Sequence, residues 1–123
     1  MQINDELSNS KYIFKNCSEK GIQVNEILYT SSICINNNTL ISPWSINNIK
    51  DLNKKHLLNV INFKPEILII GSGKHNLYIN NKLLFLLYSN KIGCEVMATQ
   101  AACRTYNLLT LDNRNVSVIL FQL

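Results

Sequence analysis

A chain of 123 residues with 46% hydrophobic content has one domain's worth of sequence and enough apolar side chains to build a core without staples. Its formal charge of +4 comes from scattered cations, with no basic stripe interleaved with aromatics, so nothing marks a nucleic-acid surface. The four cysteines, Cys17, Cys34, Cys94 and Cys103, form no C-x-x-C pair and have neither His56 nor His75 close by in sequence, which argues for reduced thiols and against a metal centre.

Residues 1–11 are polar, carry Asp5 and Glu6 but no arginine, and read as a flexible tail rather than a targeting peptide. Between Tyr12 and Ile41, short segments rich in Ile, Tyr and Thr alternate with Ser, Asn and Gly, which predicts an antiparallel meander. The Asn run 36–38 predicts a tight turn, because Asn tolerates positive φ. Trp44, within "SPWSI" (42–46), is expected to plug the core over a sheet edge. Leu57, Leu58 and Ile61 at helical spacing predict a helix over 51–62, with Pro65 beyond its end.

In "PEILIIGSG" (65–73) the continuous apolar run predicts a strand covered on both faces. A deeply packed helix is expected over 80–91 and a second buried strand over 94–98. Thr99 is the expected N-cap of a helix over 99–107, with Asn107 closing it. "LLTL" and "VSVILF" then flank residues 112–115, predicting a final hairpin. The apolar runs are too short to span a bilayer. Strands, a helix and then β-α-β-α-β predict a single α/β domain over 1–123, with a mixed central sheet flanked by helices.

Three features invite a chemical reading. The turn Gly71-Ser72-Gly73 follows a strand, as anion-binding turns do, and Thr99 and Arg104 are candidate helpers for a bound anion or small molecule. The turn lacks both G-x-G-x-x-G and the Gly-Lys-Ser/Thr of a P-loop, so a plain tight turn is the simpler reading. Arg104 shares a helical stripe with Gln100 and Asn107. Five helical residues retrace about 7.5 Å of the preceding strand. That bookkeeping brings Arg104 level with Val96 and within reach of Glu95, and predicts a structural ion pair, against the alternative of an exposed Arg. Cys103, beside Arg104, is either a thiol of lowered pKa or a small core hydrophobe. Glu95, Asp112, His56 and His75 form no recognisable triad, and Ser72 is not in a G-x-S-x-G elbow, so no catalytic residue and no cofactor are assigned.

"PEILIIGSG", followed by "GCEVMATQAACRTYNLL", resembles the Mth-type domain family, whose pattern is P-E-hydrophobic run-G-T-G, then G-hydrophobic-x-E-hydrophobic-M, then A-A-C-R-T-Y-N. Ser72 stands where that pattern has Thr, and the dense match covers residues 65–108. The resemblance implies a three-layer α/β domain and neither an established enzyme activity nor a known cofactor. For a mitochondrial member of the family it implies scaffolding during complex I assembly. The reading that follows is a non-catalytic interaction or assembly factor with protein partners, respiratory complex subunits among them. It is expected in a bacterial cytoplasm, peripheral to the inner membrane through a partner, and self-association is compatible with it. The rival reading is an anion-binding module at Gly71-Ser72-Gly73.

Overall fold

The computed structural model describes residues 12–123, so the expected tail, residues 1–11, lies outside the described residues. Three short strands come first: β1 (Phe14–Ser18), β2 (Gly21–Val24) and β3 (Ile27–Tyr29) form an antiparallel sheet. Cys17 lies opposite Ile22, and the register shifts between Phe14 and Asn16. The meander does not continue to Ile41 as expected. β4 (Ile33–Asn36) and β5 (Thr39–Ile41) belong to a second, five-stranded sheet. The physical reason lies in β4, where every residue is buried. A strand with both faces apolar needs cover on both sides, which a small three-stranded sheet does not give. The Asn turn is present, with Asn37 at φ 56° between the Asn36–Thr39 pair.

Helix α1 (Lys54–Phe63) starts three residues later than expected, after a single 3-10 turn at Ile49–Asp51. Asn53 caps it: its side chain accepts from the Lys55 N–H, while the Asn53 N–H donates to His56 Nδ1. β6 (Ile67–Gly71), α2 (Asn81–Ser89), β7 (Gly93–Met97), α3 (Thr99–Leu111) and β8 (Val116–Leu120) follow. The five-stranded order is β5-β4-β8-β6-β7, with β6 parallel to β7 and β8 and with β4 antiparallel to β5 and β8. The sheet is therefore mixed.

Alternation along β6 sorts the core into two layers. Leu68 and Ile70 face α1 and α2, packing with Leu57, Val60, Leu83 and Leu87. Trp44 is buried in this layer and meets His56 edge-on at 5.8 Å, as a core plug should. Ile69 faces the other way, toward Ala102, Cys103 and Tyr106 of α3 and toward Phe14, Ile22 and Val24 of the small sheet. Helices cover one face of the large sheet, and α3 with the small sheet covers the other.

The expected final hairpin is absent. "LLTL" is the last turn of α3, and β8 joins β6 in parallel. Tyr106 and Thr110, four apart, are both buried and continue the apolar side begun by Ala102 and Cys103. Asn107 therefore does not close the helix, and Asp112 is its C-cap. Nor is Thr99 the N-cap. Ala98 holds that position without a side-chain cap, and Thr99 is the first helical residue.

Candidate functional site

The turn Gly71-Ser72-Gly73 begins at the end of β6 and is hydrogen-bonded to the start of α3. Its backbone donors are already used. The Ser72 N–H donates to Met97 O at 2.8 Å, and the Gly73 N–H donates to Thr99 Oγ1 at 2.8 Å. Thr99 in turn donates its hydroxyl proton to Phe121 O at 2.7 Å, and its N–H donates to Gly73 O. Ser72 Oγ donates toward His75 O at 2.6 Å and accepts from the Leu77 N–H. Gly73 does adopt positive φ, at 103°. An anion site needs N–H groups aimed outward, and these are spent on the fold. The turn is a clasp tying β6, α3 and the end of β8 together, and the anion-binding reading of Gly71, Ser72, Gly73 and Thr99 finds no support in it.

The expected Glu95–Arg104 ion pair does not form. Among the described residues the ion pairs are Lys15–Glu26, Lys74–Glu19 and Arg114–Glu66, all between exposed side chains. Glu95 and Arg104 are both exposed. Glu95 registers with Ile69, so it does lie on the sheet face that α3 covers. β7 is the edge strand, however, and α3 meets it through Thr105, whose hydroxyl lies 3.4 Å from Met97 Sδ. Gln100, Cys103, Arg104 and Asn107 occupy the opposite flank of the helix, against β1. A rise per residue fixes height along a helix and carries no information on rotation about its axis.

A cavity of about 290 Å³ opens between β1 and α3, lined by Lys15, Cys17, Gln100, Cys103, Arg104 and Asn107 among others. Two carboxamides hold its walls together. Asn107 Oδ1 accepts from the Phe14 N–H at 3.0 Å, and its Nδ2 donates to Phe14 O at 2.8 Å. Gln100 Nε2 donates to Cys17 O at 3.0 Å. Phe14 stacks edge-on against Tyr106 at 5.2 Å beneath them. Asn107→Ala should lose about 2 kcal/mol of stability, since both backbone groups of Phe14 lose their partner in a partly buried place. Urea unfolding of the two proteins checks this.

Cys17 and Cys103 both line this cavity and pack into one cluster. The neighbouring Cys103 thiol first, and the Arg104 cation after it, hold the Cys17 pKa below the ordinary thiol value, against burial, which acts the other way. The same contact and burial push Cys103 upward. Of the two sequence readings of Cys103 the structure bears out the small core hydrophobe, and the thiol held low beside Arg104 is Cys17. No sequence signal joins them, because β1 and α3 lie at opposite ends of the chain.

A second surface is apolar. Tyr78 is 90% exposed, Phe85 74% and Tyr88 56%. Phe85 and Tyr88 lie three apart on α2 and share a face. Beside them a groove of about 420 Å³ is lined by Leu52, Leu83, Phe85 and Leu86 with Asn53 and Lys82 at its edges. Among the described residues no helix is long and apolar enough to cross a membrane, and no cluster of three or more His, Cys, Asp or Glu is arranged to hold a metal ion.

Known proteins share this architecture. A 13 kDa major membrane protein of Francisella tularensis subsp. holarctica is 36% identical over 75 residues, covering 61% of this chain and 61% of that protein. NADH dehydrogenase [ubiquinone] 1 alpha subcomplex assembly factor 3 of Drosophila melanogaster is 28% identical over 108 residues, covering 84% of this chain and 55% of that protein. The chain thus matches a little over half the length of these relatives. The crystal structure of a Bordetella parapertussis protein superposes with a TM-score of 0.83 at 26% identity, covering 90% of this chain and 95% of that one. A Mth938-like domain from Bordetella pertussis, solved in solution, superposes with a TM-score of 0.76 at 21% identity, covering 94% of this chain and 85% of that one. The family model for the protein of unknown function DUF498/DUF598 matches residues 14–121, from the first strand through the residue after the last, and the chain belongs to that family.

Proposed function

We propose that this chain is a non-catalytic protein-binding factor that serves the assembly of a respiratory complex. The observation that carries this reading is the likeness, over 84% of the chain, to a protein named as an assembly factor for NADH dehydrogenase. The exposed aromatics of α2 support it. Large rings left in water beside an apolar groove are what a partner's side chains cover, and buried aromatics dominate interface energies. In this reading the protein works in a bacterial cytoplasm and reaches the inner membrane through its partner, without a cofactor of its own.

The test is affinity capture of the tagged protein from mildly solubilised cells, beside the double variant Phe85→Asp, Tyr88→Ser. Respiratory complex subunits should accompany the wild type. Their recovery should fall about tenfold or more with the variant, while its melting temperature stays within a few degrees, because neither ring is in the core. A wild type that captures no respiratory subunit, or a variant that captures them undiminished, overturns the reading.

A further inference from the structure

We propose that Cys17 and Cys103 form a peroxide-reactive site, in which a hydroperoxide oxidises Cys17 and Cys103 then resolves it as a disulfide joining β1 to α3. This does not depend on the assembly reading. Four observations place the chemistry. Both cysteines line one cavity, and Cys17 packs against the core cluster that holds Cys103. Cys17 is partly exposed and Cys103 is buried, which gives the attacking thiol access to solvent and shields the resolving one. Arg104 and Lys15 line the same cavity, so a cation is disfavoured there and a thiolate, or the oxyanion leaving from a peroxide, is favoured. Gln100 and Asn107 fasten the backbone of β1 to α3 on either side of the pair, so the two sulfurs are held together.

The steps balance. The Cys17 thiolate attacks one peroxide oxygen, the S–O bond forms and the O–O bond breaks. Sulfur is oxidised by two electrons, and the leaving oxygen takes a proton to become water. Cys103 then gives its proton to solvent and attacks the Cys17 sulfenic acid. The S–S bond forms, the S–O bond breaks, and the departing hydroxide is protonated to a second water. Two thiols and one hydrogen peroxide become one disulfide and two waters. The other cysteines are poor competitors, since burial pushes both Cys34 and Cys94 up to about 12.

The experiment treats the reduced full-length chain with hydrogen peroxide and maps its peptides without reduction. Two of the four thiols should disappear, and Cys17 and Cys103 should be found linked. In Cys103→Ser, dimedone should label Cys17, whereas Cys17→Ser should give neither label nor link. Arg104→Gln should slow the loss of thiols about threefold to tenfold, because the nearby cation no longer favours the thiolate. A link between other cysteines, or thiols that survive peroxide as long as those of the denatured chain, overturns the proposal. The wild-type map decides the matter even where a variant fails to fold.

Discussion

Replacing Gly71 by Ala is expected to lower the melting temperature by about 10 °C, a loss of about 3 kcal/mol. A Cβ at this position would lie 2.7 Å from Leu120 Cδ2, 2.8 Å from Thr99 Oγ1 and 2.9 Å from Thr99 Cα. The first contact could be relieved by a rotamer change. The last is backbone at the start of α3, and it moves only if the helix moves. Because Thr99 is also held by Gly73 and Phe121, displacing it breaks hydrogen bonds as well as packing. Gly93→Ala is the control. Its Cβ would meet nothing closer than 3.6 Å, so it should leave stability nearly unchanged. Differential scanning calorimetry on the two variants separates a close approach at one glycine from a general cost of replacing glycines.

The parts of the fold that could be read from sequence are those where local pattern and final environment agree. "ILII" between Pro65 and Gly71 announces a strand buried on both faces, and Leu68, Ile69 and Ile70 are fully buried between two layers. "LLFLLY" announces a helix correctly but not its depth: Leu83 and Leu87 bury one side, while Phe85 and Tyr88 stay exposed. "LLTL" misled, because three leucines and a Thr suit a strand as well as the last turn of a helix. Only the burial of Tyr106 and Thr110 against the sheet decides between them. The site failed for a different reason. Helical spacing grouped Gln100, Arg104 and Asn107 on one flank correctly, but the neighbour of that flank is β1. Phe14 and Asn107 are 93 residues apart and touch only through the tertiary fold. Rise per residue along the adjoining strand and helix leads to Glu95, whereas Cys17 lies on β1, which no local spacing connects to α3.

Thr99→Val should cost about 2–5 kcal/mol although it preserves shape and volume. Thr99 is fully buried, and its hydroxyl accepts from the Gly73 N–H while donating to Phe121 O. Valine leaves a donor and an acceptor facing each other across an apolar methyl, with no room for water to replace the lost oxygen, and each unpaired group costs about 1–3 kcal/mol. Thr99→Ser keeps both bonds and removes only a methyl, so it should lose roughly 1 kcal/mol. The comparison bears on what the glycine-flanked turn is for. If the turn exists to hold β6, α3 and β8 in register, the Val and Ser variants must differ widely in urea midpoint with no ligand present. If the two variants were equally stable, the hydroxyl would be contributing nothing to the fold, and the donors of the turn would regain their place as candidates for an anion.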